Sequence, residues 1–177
     1  YSAPPPPPTP VTLPWSEDFD DGTADLFTVQ AGTWTTPSGE YRAAPIGVSD
    51  AVSTLEFTDP LPTDLEVHAT LNAELFGVQQ NGFVVFDYQS ATDFKFAGAF
   101  VGTNHWAIGH RTASGWVKDQ VFSQTVNTGI EYALRLVINN SNEATLFVDG
   151  EQKISHSFLD AVNEGAIGLA TRQATTR

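Results

Sequence analysis

The sequence predicts an all-β protein, folded as a two-sheet antiparallel sandwich. Apolar residues recur at every second position over many short segments, as in strands with one buried face. Turn-forming residues separate these segments, for example Pro37-Ser38-Gly39, Asn140-Ser141-Asn142 and Asp149-Gly150. About a dozen short strands joined by hairpins, without convincing helical periodicity, are typical of a sandwich.

The chain divides at its proline-rich start. Residues 1–14 contain five consecutive prolines, which favour the stiff polyproline II conformation of a spacer. The strand pattern begins at Trp15, so we expect an interdomain linker over 1–14 and a single domain over 15–177. The sequence has no apolar run of the roughly 20 residues that span a bilayer, and no membrane span is predicted.

The clearest strands lie between residues 65 and 158. In LEVHATL (65–71) and YALRLVI (132–138) every second residue is a large apolar one or an alanine. In DFKFAGAF (93–100) we expect the phenylalanines to face the core between the sheets and Lys95 to face outward. Further strands are predicted in NGFVVFDY, HWAIGHR, WVKDQVF, ATLFVDG and QKISHSF.

Composition limits the function. The chain has a formal net charge of −13, and such a surface repels phosphate backbones, so nucleic acid is not an expected partner. It has no cysteine, which excludes disulfides and thiolate metal sites. Only 16% of its residues are charged, and this composition is typical of an exported β-rich module. We therefore expect a secreted or cell-surface protein.

Several segments carry a family resemblance. They are FDDG (19–22), GTW (32–34), Gly-Glu-Tyr (39–41), the segment 87–116, LFVDGEQKISHSF (146–158) and GAIGLAT (165–171). These segments resemble laminin-G-like or concanavalin A-like jelly-roll domains of bacterial secreted and surface multidomain proteins. The resemblance implies a jelly-roll sandwich, carbohydrate recognition or adhesion, and neighbouring domains in the same parent chain.

The same resemblance implies a closing strand that returns beside the first one. The sequence to Arg177 does not contain such a strand after GAIGLAT. We therefore expect an open sheet edge at the C-terminal end of the domain, beside the first strand. Unpaired edges recruit other strands, so a strand-pairing partner is expected there.

A glycan-binding surface is expected on the sheet that contains residues 93–116. The face of DFKFAGAF opposite its phenylalanines is made of small residues, which leaves room for a ligand. Sugars are bound by flat aromatic rings and planar hydrogen-bonding groups. The candidate ligand-binding residues are Tyr88, Lys95, Trp106, His110, Arg111 and Trp116. The alternative is that Trp106 and His110 pack in the core or a turn, and that Arg111 pairs with a carboxylate.

The acidic segment 16–25 is a candidate calcium site. Calcium prefers six to eight oxygen ligands, which closely spaced carboxylates and turn carbonyls supply. The candidate metal ligands are Asp18, Asp20 and Asp21, although the spacing is not that of an EF-hand. The alternative is that Asp20 caps a turn and the other carboxylates are solvated.

Catalysis is not expected. The laminarinase-type enzymes that the resemblance includes carry Glu-x-Asp-x-x-Glu on a strand, and this sequence has no such motif. Ser155-His156-Ser157 lies on a predicted strand, without the strand-turn-helix of a nucleophile elbow. The sequence thus predicts a non-catalytic extracellular carbohydrate-binding module of a larger protein, stabilised by calcium. The first alternative is a structural or adhesion spacer with protein partners, and the second is a glycoside hydrolase.

Overall fold

A computed structural model describes residues 10–44, 50–73 and 81–172. These residues confirm the predicted antiparallel sandwich, and their helical structure is a 3₁₀ turn over Val101–Thr103. In chain order the strands are β1 (Thr28–Ala31), β2 (Thr33–Thr35), β3 (Arg42–Ala44), β4 (Asp50–Leu55), β5 (Leu65–Asn72), β6 (Asn81–Ser90), β7 (Asp93–Phe100), β8 (His105–Thr112), β9 (Gly115–Ser123), β10 (Glu131–Asn139), β11 (Glu143–Val148), β12 (Glu151–Ser157) and β13 (Ala166–Arg172).

Two sheets form the layers of the sandwich. The larger has the strand order β1-β4-β13-β6-β7-β8-β9, and the smaller has the order β12-β11-β10-β5. Strands β2 and β3 form a separate hairpin. The predicted turn between β11 and β12 is present, with Asp149 at φ 50° and Gly150 at φ 82°. Positive φ at both central residues is the geometry that a two-residue hairpin favours, and Gly150 adopts it without steric cost.

The core fills the space between the two sheets. In the central strands of both sheets every second residue points into it, as the alternating pattern predicts. The larger sheet contributes Val84, Phe86, Ala97, Ala99, Trp106 and Ile108, and the smaller one contributes Leu134, Leu136, Ile138 and Leu146. All of these side chains are buried. Burying each large one contributes about 1.5–3 kcal/mol.

The phenylalanines of β7 lie on the other face from the one we predicted. Ala97 and Ala99 face the smaller sheet, whereas Phe94, Phe96 and Phe100 lie on the outer face. The expectation that the phenylalanines point between the sheets was therefore wrong. Both faces of β7 are buried, so alternation between large and small apolar residues did not reveal which face meets the second sheet.

The beginning of the described chain already belongs to the domain. Val11 is buried and forms a parallel bridge to Phe57, and its N–H donates to the carbonyl of Glu56 at 2.8 Å. The linker was predicted over residues 1–14, and Val11 within that range packs on the domain. Residues 1–9 lie outside the described part, so a linker there stays a prediction. The last described strand, β13, pairs with β4 on one side and β6 on the other.

The open edge expected beside the first strand lies at β1. Among the described residues β1 pairs with β4 alone, whereas β13 offers no free edge because both of its sides are paired. Recruitment of another chain at β1 stays a prediction. Within the described residues, no helix has the length and apolar character needed to cross a membrane.

Candidate functional site

The outer face of the larger sheet, turned away from the smaller sheet, is concave. Asp50 of β4 contacts both Arg111 of β8 and Trp116 of β9. Three strands, β13, β6 and β7, lie between β4 and β8. Neighbouring strands are about 4.8 Å apart, so a flat sheet would separate β4 from β8 by about 19 Å. The sheet must therefore curl, and we call this surface the concave face.

A layer of four phenylalanines lines the concave face. Phe83, Phe94, Phe96 and Phe100, here called the phenylalanine layer, are at most 4% exposed. Trp116 covers three of them, with ring centroids 4.9 Å from Phe83, 5.4 Å from Phe94 and 4.6 Å from Phe96. The indole itself is half-buried, so part of it remains available to a ligand.

Two glycines make this layer fit. A Cβ on Gly109 of β8 would lie 2.6 Å from the ring of Phe96 and 2.0 Å from the carbonyl oxygen of Val117. A Cβ on Gly98 of β7 would lie 2.2 Å from the carbonyl oxygen of Gly82. Both distances to backbone oxygen are too short for any side chain. The large rings therefore fit because their cross-strand neighbours, Gly98 and Gly109, have no side chain.

A shared carboxylate fixes the indole and a guanidinium. Asp50 Oδ2 accepts hydrogen bonds from Trp116 Nε1 at 2.9 Å and from Arg111 Nε at 3.3 Å. The side chains of Asp50 and Arg111 are each 18% exposed. Two planar groups are thus held in place at a partly wet surface, with little rotational entropy left to lose when a ligand binds.

Three basic side chains, His105, Lys118 and Arg172, lie near one another on the concave face; we call them the basic cluster. His105 stacks on Phe100 with centroids 5.0 Å apart, and Lys118 Nζ lies 4.3 Å from the centroid of the same ring. Arg172 is the cross-strand partner of Asp50. Desolvation and the charge of Arg172 lower the pKa of Lys118. Burial is the main cause that lowers the pKa of His105.

The concave face brings together three of the six predicted ligand-binding residues. Arg111 and Trp116 share Asp50, and Tyr88 stacks on Phe94 with centroids 5.7 Å apart. Burial raises the pKa of Tyr88. Tyr88 and Trp116 both rest on Phe94 and so form adjoining parts of one aromatic surface.

The other three predicted residues lie on the opposite face. Trp106 is 1% exposed in the core between the sheets, so its assignment to a ligand surface is corrected. Lys95 and His110 line a polar groove at the rim between the sheets, where Lys95 Nζ lies 3.2 Å from Asp87 Oδ2 and His110 Nδ1 lies 2.7 Å from Asp119 Oδ2. The predicted site combined residues from both faces, because the face of β7 had been assigned the wrong way round.

Sequence reasoning missed four residues of the concave face: Asp50, His105, Lys118 and Arg172. Lys118 was within reach, because it follows Trp116 by two positions and a strand places such residues on one side. Asp50 had no local signal. It meets Trp116 only because the sheet curls, and sequence periodicity does not report curvature.

A second groove, of about 760 Å³, lies between the N-terminal segment and β5. Its aromatic side chains pack against one another, with centroid distances from 4.5 to 5.8 Å among Trp15, Phe19, Phe27, Trp34 and Tyr41. The contacts that these rings make with one another explain their positions in the groove. They attach the N-terminal segment to the side of the sandwich.

The predicted calcium ligands lie on an exposed loop. Asp18 Oδ1 accepts from the N–H of Asp20 at 3.1 Å, and Asp21 Oδ1 accepts from the N–H and hydroxyl of Thr23, each at 2.8 Å. These bonds to Thr23 lower the pKa of Asp21. Within the described residues no three acidic or histidine side chains converge as metal ligands, and calcium at this loop stays a prediction.

Comparisons with known proteins place the fold. No protein-family description matches the sequence, and no curated protein matches it. The carbohydrate-binding module CBM66 from Bacillus subtilis is similar in structure, with a TM-score of 0.74 and 12% identity over 95% of this chain and 94% of that one. A protein of unknown function with a galectin-like fold, also from Bacillus subtilis, has a TM-score of 0.65 and 8% identity over 90% of both chains. The potassium-bound Emp46p carbohydrate recognition domain has a TM-score of 0.62 and 10% identity over 93% of this chain and 89% of that one. The sandwich is therefore a jelly roll of the kind found in these domains.

Proposed function

We propose that this chain is a non-catalytic carbohydrate-binding module and that its site is the concave face. The observation that carries the proposal is Trp116, a half-buried indole fixed against the phenylalanine layer by Asp50. The apolar C–H face of a sugar ring stacks on such a surface at low entropic cost, because the indole is already held in place.

Hydrogen bonding to sugar hydroxyls would come from the rim of the same surface. Arg111 presents a planar group of donors, and Asp50 has carboxylate lone pairs left after accepting from Arg111 and Trp116. Tyr88 would add a second aromatic ring. The names of two of the similar structures, a carbohydrate-binding module and a carbohydrate recognition domain, support the proposal by analogy of fold.

We prefer a sugar-binding function to glycoside hydrolysis because of the number of carboxylates on the concave face. A glycosidase of the common type places two carboxyl groups on either side of the scissile bond. Among the contacts described on the concave face, Asp50 is the carboxylate present, and it is committed to Trp116 and Arg111. A single carboxylate held in this way has no partner for acid–base chemistry.

The wider setting is part of the proposal. We infer an extracellular module of a larger bacterial protein, joined to other domains by the proline-rich segment at residues 1–9. The laminin-G-like resemblance of the sequence supports adhesion as a related role. Shallow single sites bind sugars weakly, and neighbouring modules would raise the avidity.

A calcium ion near Asp18, Asp20 and Asp21 also stays a proposal. The test is to compare the melting temperature of EDTA-treated protein with and without millimolar calcium, since an ion that binds only the folded protein raises it.

Affinity electrophoresis on soluble polysaccharides tests the proposed function. We expect at least one polysaccharide to retard the protein, and Trp116→Ala to abolish the retardation while the protein stays folded by circular dichroism. Trp106→Phe, which alters the core and not the concave face, serves as the matched control and should keep binding. Retardation by no polysaccharide would favour a spacer domain, and release of reducing ends would overturn the non-catalytic assignment.

A further inference from the structure

We infer that the concave face recognises an acidic sugar, one that carries a carboxylate or sulfate group, through the basic cluster. This inference rests on the proposed function and names the class of glycan. It starts from the distribution of charge. The chain is strongly acidic, with a formal net charge of −13, and yet three of its eight Lys and Arg residues lie on this one face: Arg111, Lys118 and Arg172.

Two of these cations have no acidic partner in the described part of the chain. Lys95, Arg111, Arg135 and Lys153 each form an ion pair with an Asp or Glu. Lys118 instead lies over the ring of Phe100, and it is close enough to a second cation, Arg172, to feel its charge. Like charges held close together are unfavourable, and an anionic ligand would relieve the repulsion between Lys118 and Arg172.

His105 supplies a second and independent observation. His105 is 7% exposed, and its ring nitrogen Nε2 is buried without a hydrogen-bond partner. The other nitrogen, Nδ1, lies 3.0 Å from the hydroxyl and 3.2 Å from the carbonyl oxygen of Thr103. Buried polar atoms are rarely left unpaired, so an ordered water or a ligand hydroxyl is expected as the partner of this nitrogen. In the neutral ring with its proton on Nδ1, Nε2 accepts, and a sugar hydroxyl is a suitable donor.

The cluster adjoins the stacking surface. His105 and Lys118 both contact the ring of Phe100. The centroid of that ring lies 4.8 Å from the centroid of Phe83, and Trp116 covers Phe83. Arg172 is paired across the strands with Asp50, the residue that holds Trp116. A sugar stacked on Trp116 therefore has cationic groups beside it. One ring position would meet Lys118 and Arg172 with an anionic substituent, while hydroxyls meet Asp50, Arg111 and His105.

The test compares acidic polysaccharides with neutral forms of the same polymers. The probes are polygalacturonate and alginate with their carboxyl-reduced products, chondroitin sulfate with its desulfated and carboxyl-reduced product, and the neutral polymers xylan, galactan and levan. Binding is measured by biolayer interferometry at low and high salt. We expect at least one acidic polymer to bind about tenfold more tightly than its neutral form, which is the contribution of one charge-assisted hydrogen bond. High salt should reduce this preference.

Variants distinguish the effect of the basic cluster on binding from the effect of the protein's net charge. Lys118→Gln and Arg172→Gln should each weaken binding to the acidic polymer about tenfold and leave binding to neutral forms unchanged. Arg135→Gln, which removes one charge from β10 in the smaller sheet, should change neither. Equal affinity for acidic and neutral forms, or binding to neutral polymers alone, would overturn this inference and leave the proposed function standing. Absence of binding to every polymer would overturn both.

Discussion

Asp50 and Trp116 are joined across the concave face by a 2.9 Å hydrogen bond from the indole Nε1 to Oδ2. The two residues belong to β4 and β9, which are separated by four other strands of the same sheet. The bond therefore links two distant strands of the curved sheet, and at the same time it sets the orientation of the half-buried indole on the concave face.

Replacing Asp50 should loosen both the curvature and the site. In Asp50→Ala, Trp116 and Arg111 lose a common acceptor, and we expect a loss of about 1–2 kcal/mol of stability, because the pair is partly exposed. Urea unfolding measures the loss, and a red shift of tryptophan emission should report a wetter indole. Glu131→Gln, which changes an exposed residue at the start of β10 in the other sheet, should leave both quantities unchanged. An Asp50→Ala protein with the stability and emission of the parent would contradict the role of this bond.

Substitution of Trp106 should mainly reduce stability, whereas substitution of Trp116 should mainly reduce affinity for polysaccharide. Trp106→Ala leaves a cavity beside Tyr132 and removes the donor to Gln124, so we expect a loss of about 3–5 kcal/mol. Trp116→Ala should cost less stability and more affinity, because its ring covers a surface instead of filling the core. Chemical denaturation and polysaccharide binding, measured on both variants, separate the two roles. A binding defect in folded Trp106→Phe equal to that of Trp116→Ala would contradict the assignment.

Lys95 should matter for stability and not for binding. It pairs with Asp87, which is buried and also accepts from Gln89 and from the N–H of Gly165. In Lys95→Gln the carboxylate of Asp87 keeps these two other donors, so we expect a modest loss of about 1–2 kcal/mol. Affinity for any polysaccharide that binds the concave face should be unchanged, since Lys95 lies on the opposite side of β7. Loss of affinity without loss of stability would show that the rim groove takes part in binding.

Stability should fall as the pH drops through the histidine range, in part because of His105. Burial, and to a smaller extent Lys118, lowers the pKa of His105 in the folded protein below its ordinary value of 6.5. Below pH 6.5 the unfolded chain therefore binds a proton that the folded chain does not, and unfolding becomes easier as the pH falls. Urea midpoints at pH 7.5 and 5.5 measure the effect.

His105→Gln provides the comparison for this pH effect. It should flatten the pH dependence relative to the parent chain, because the group with the lowered pKa is removed. Identical pH dependence in the parent and in His105→Gln would contradict the depressed pKa.

The sequence was sufficient for the strands between residues 65 and 158 and for the turns that join them, because both are local, but it did not delimit β1 to β4. LEVHATL, predicted at 65–71, is found as β5 over Leu65–Asn72, and the Asp149-Gly150 turn connects β11 and β12. Arg111 and Trp116 were also found by residue type. The sequence did not reveal which face of β7 meets the second sheet, since large and small apolar residues are both buried there. It did not reveal Asp50 either, because that residue joins the site through pairing across the sheet.

The position of β13 bears on how the domain is made. Strands β4 and β6 both pair with β13, so the larger sheet is split into two parts until residues 166–172 are available. Synthesis delivers these residues after all twelve other strands, and only then can the long-range pairings form that join the two parts. We expect a nascent chain stalled before Ala166 to be protease-sensitive throughout, and completion of this single segment to confer resistance on the whole domain.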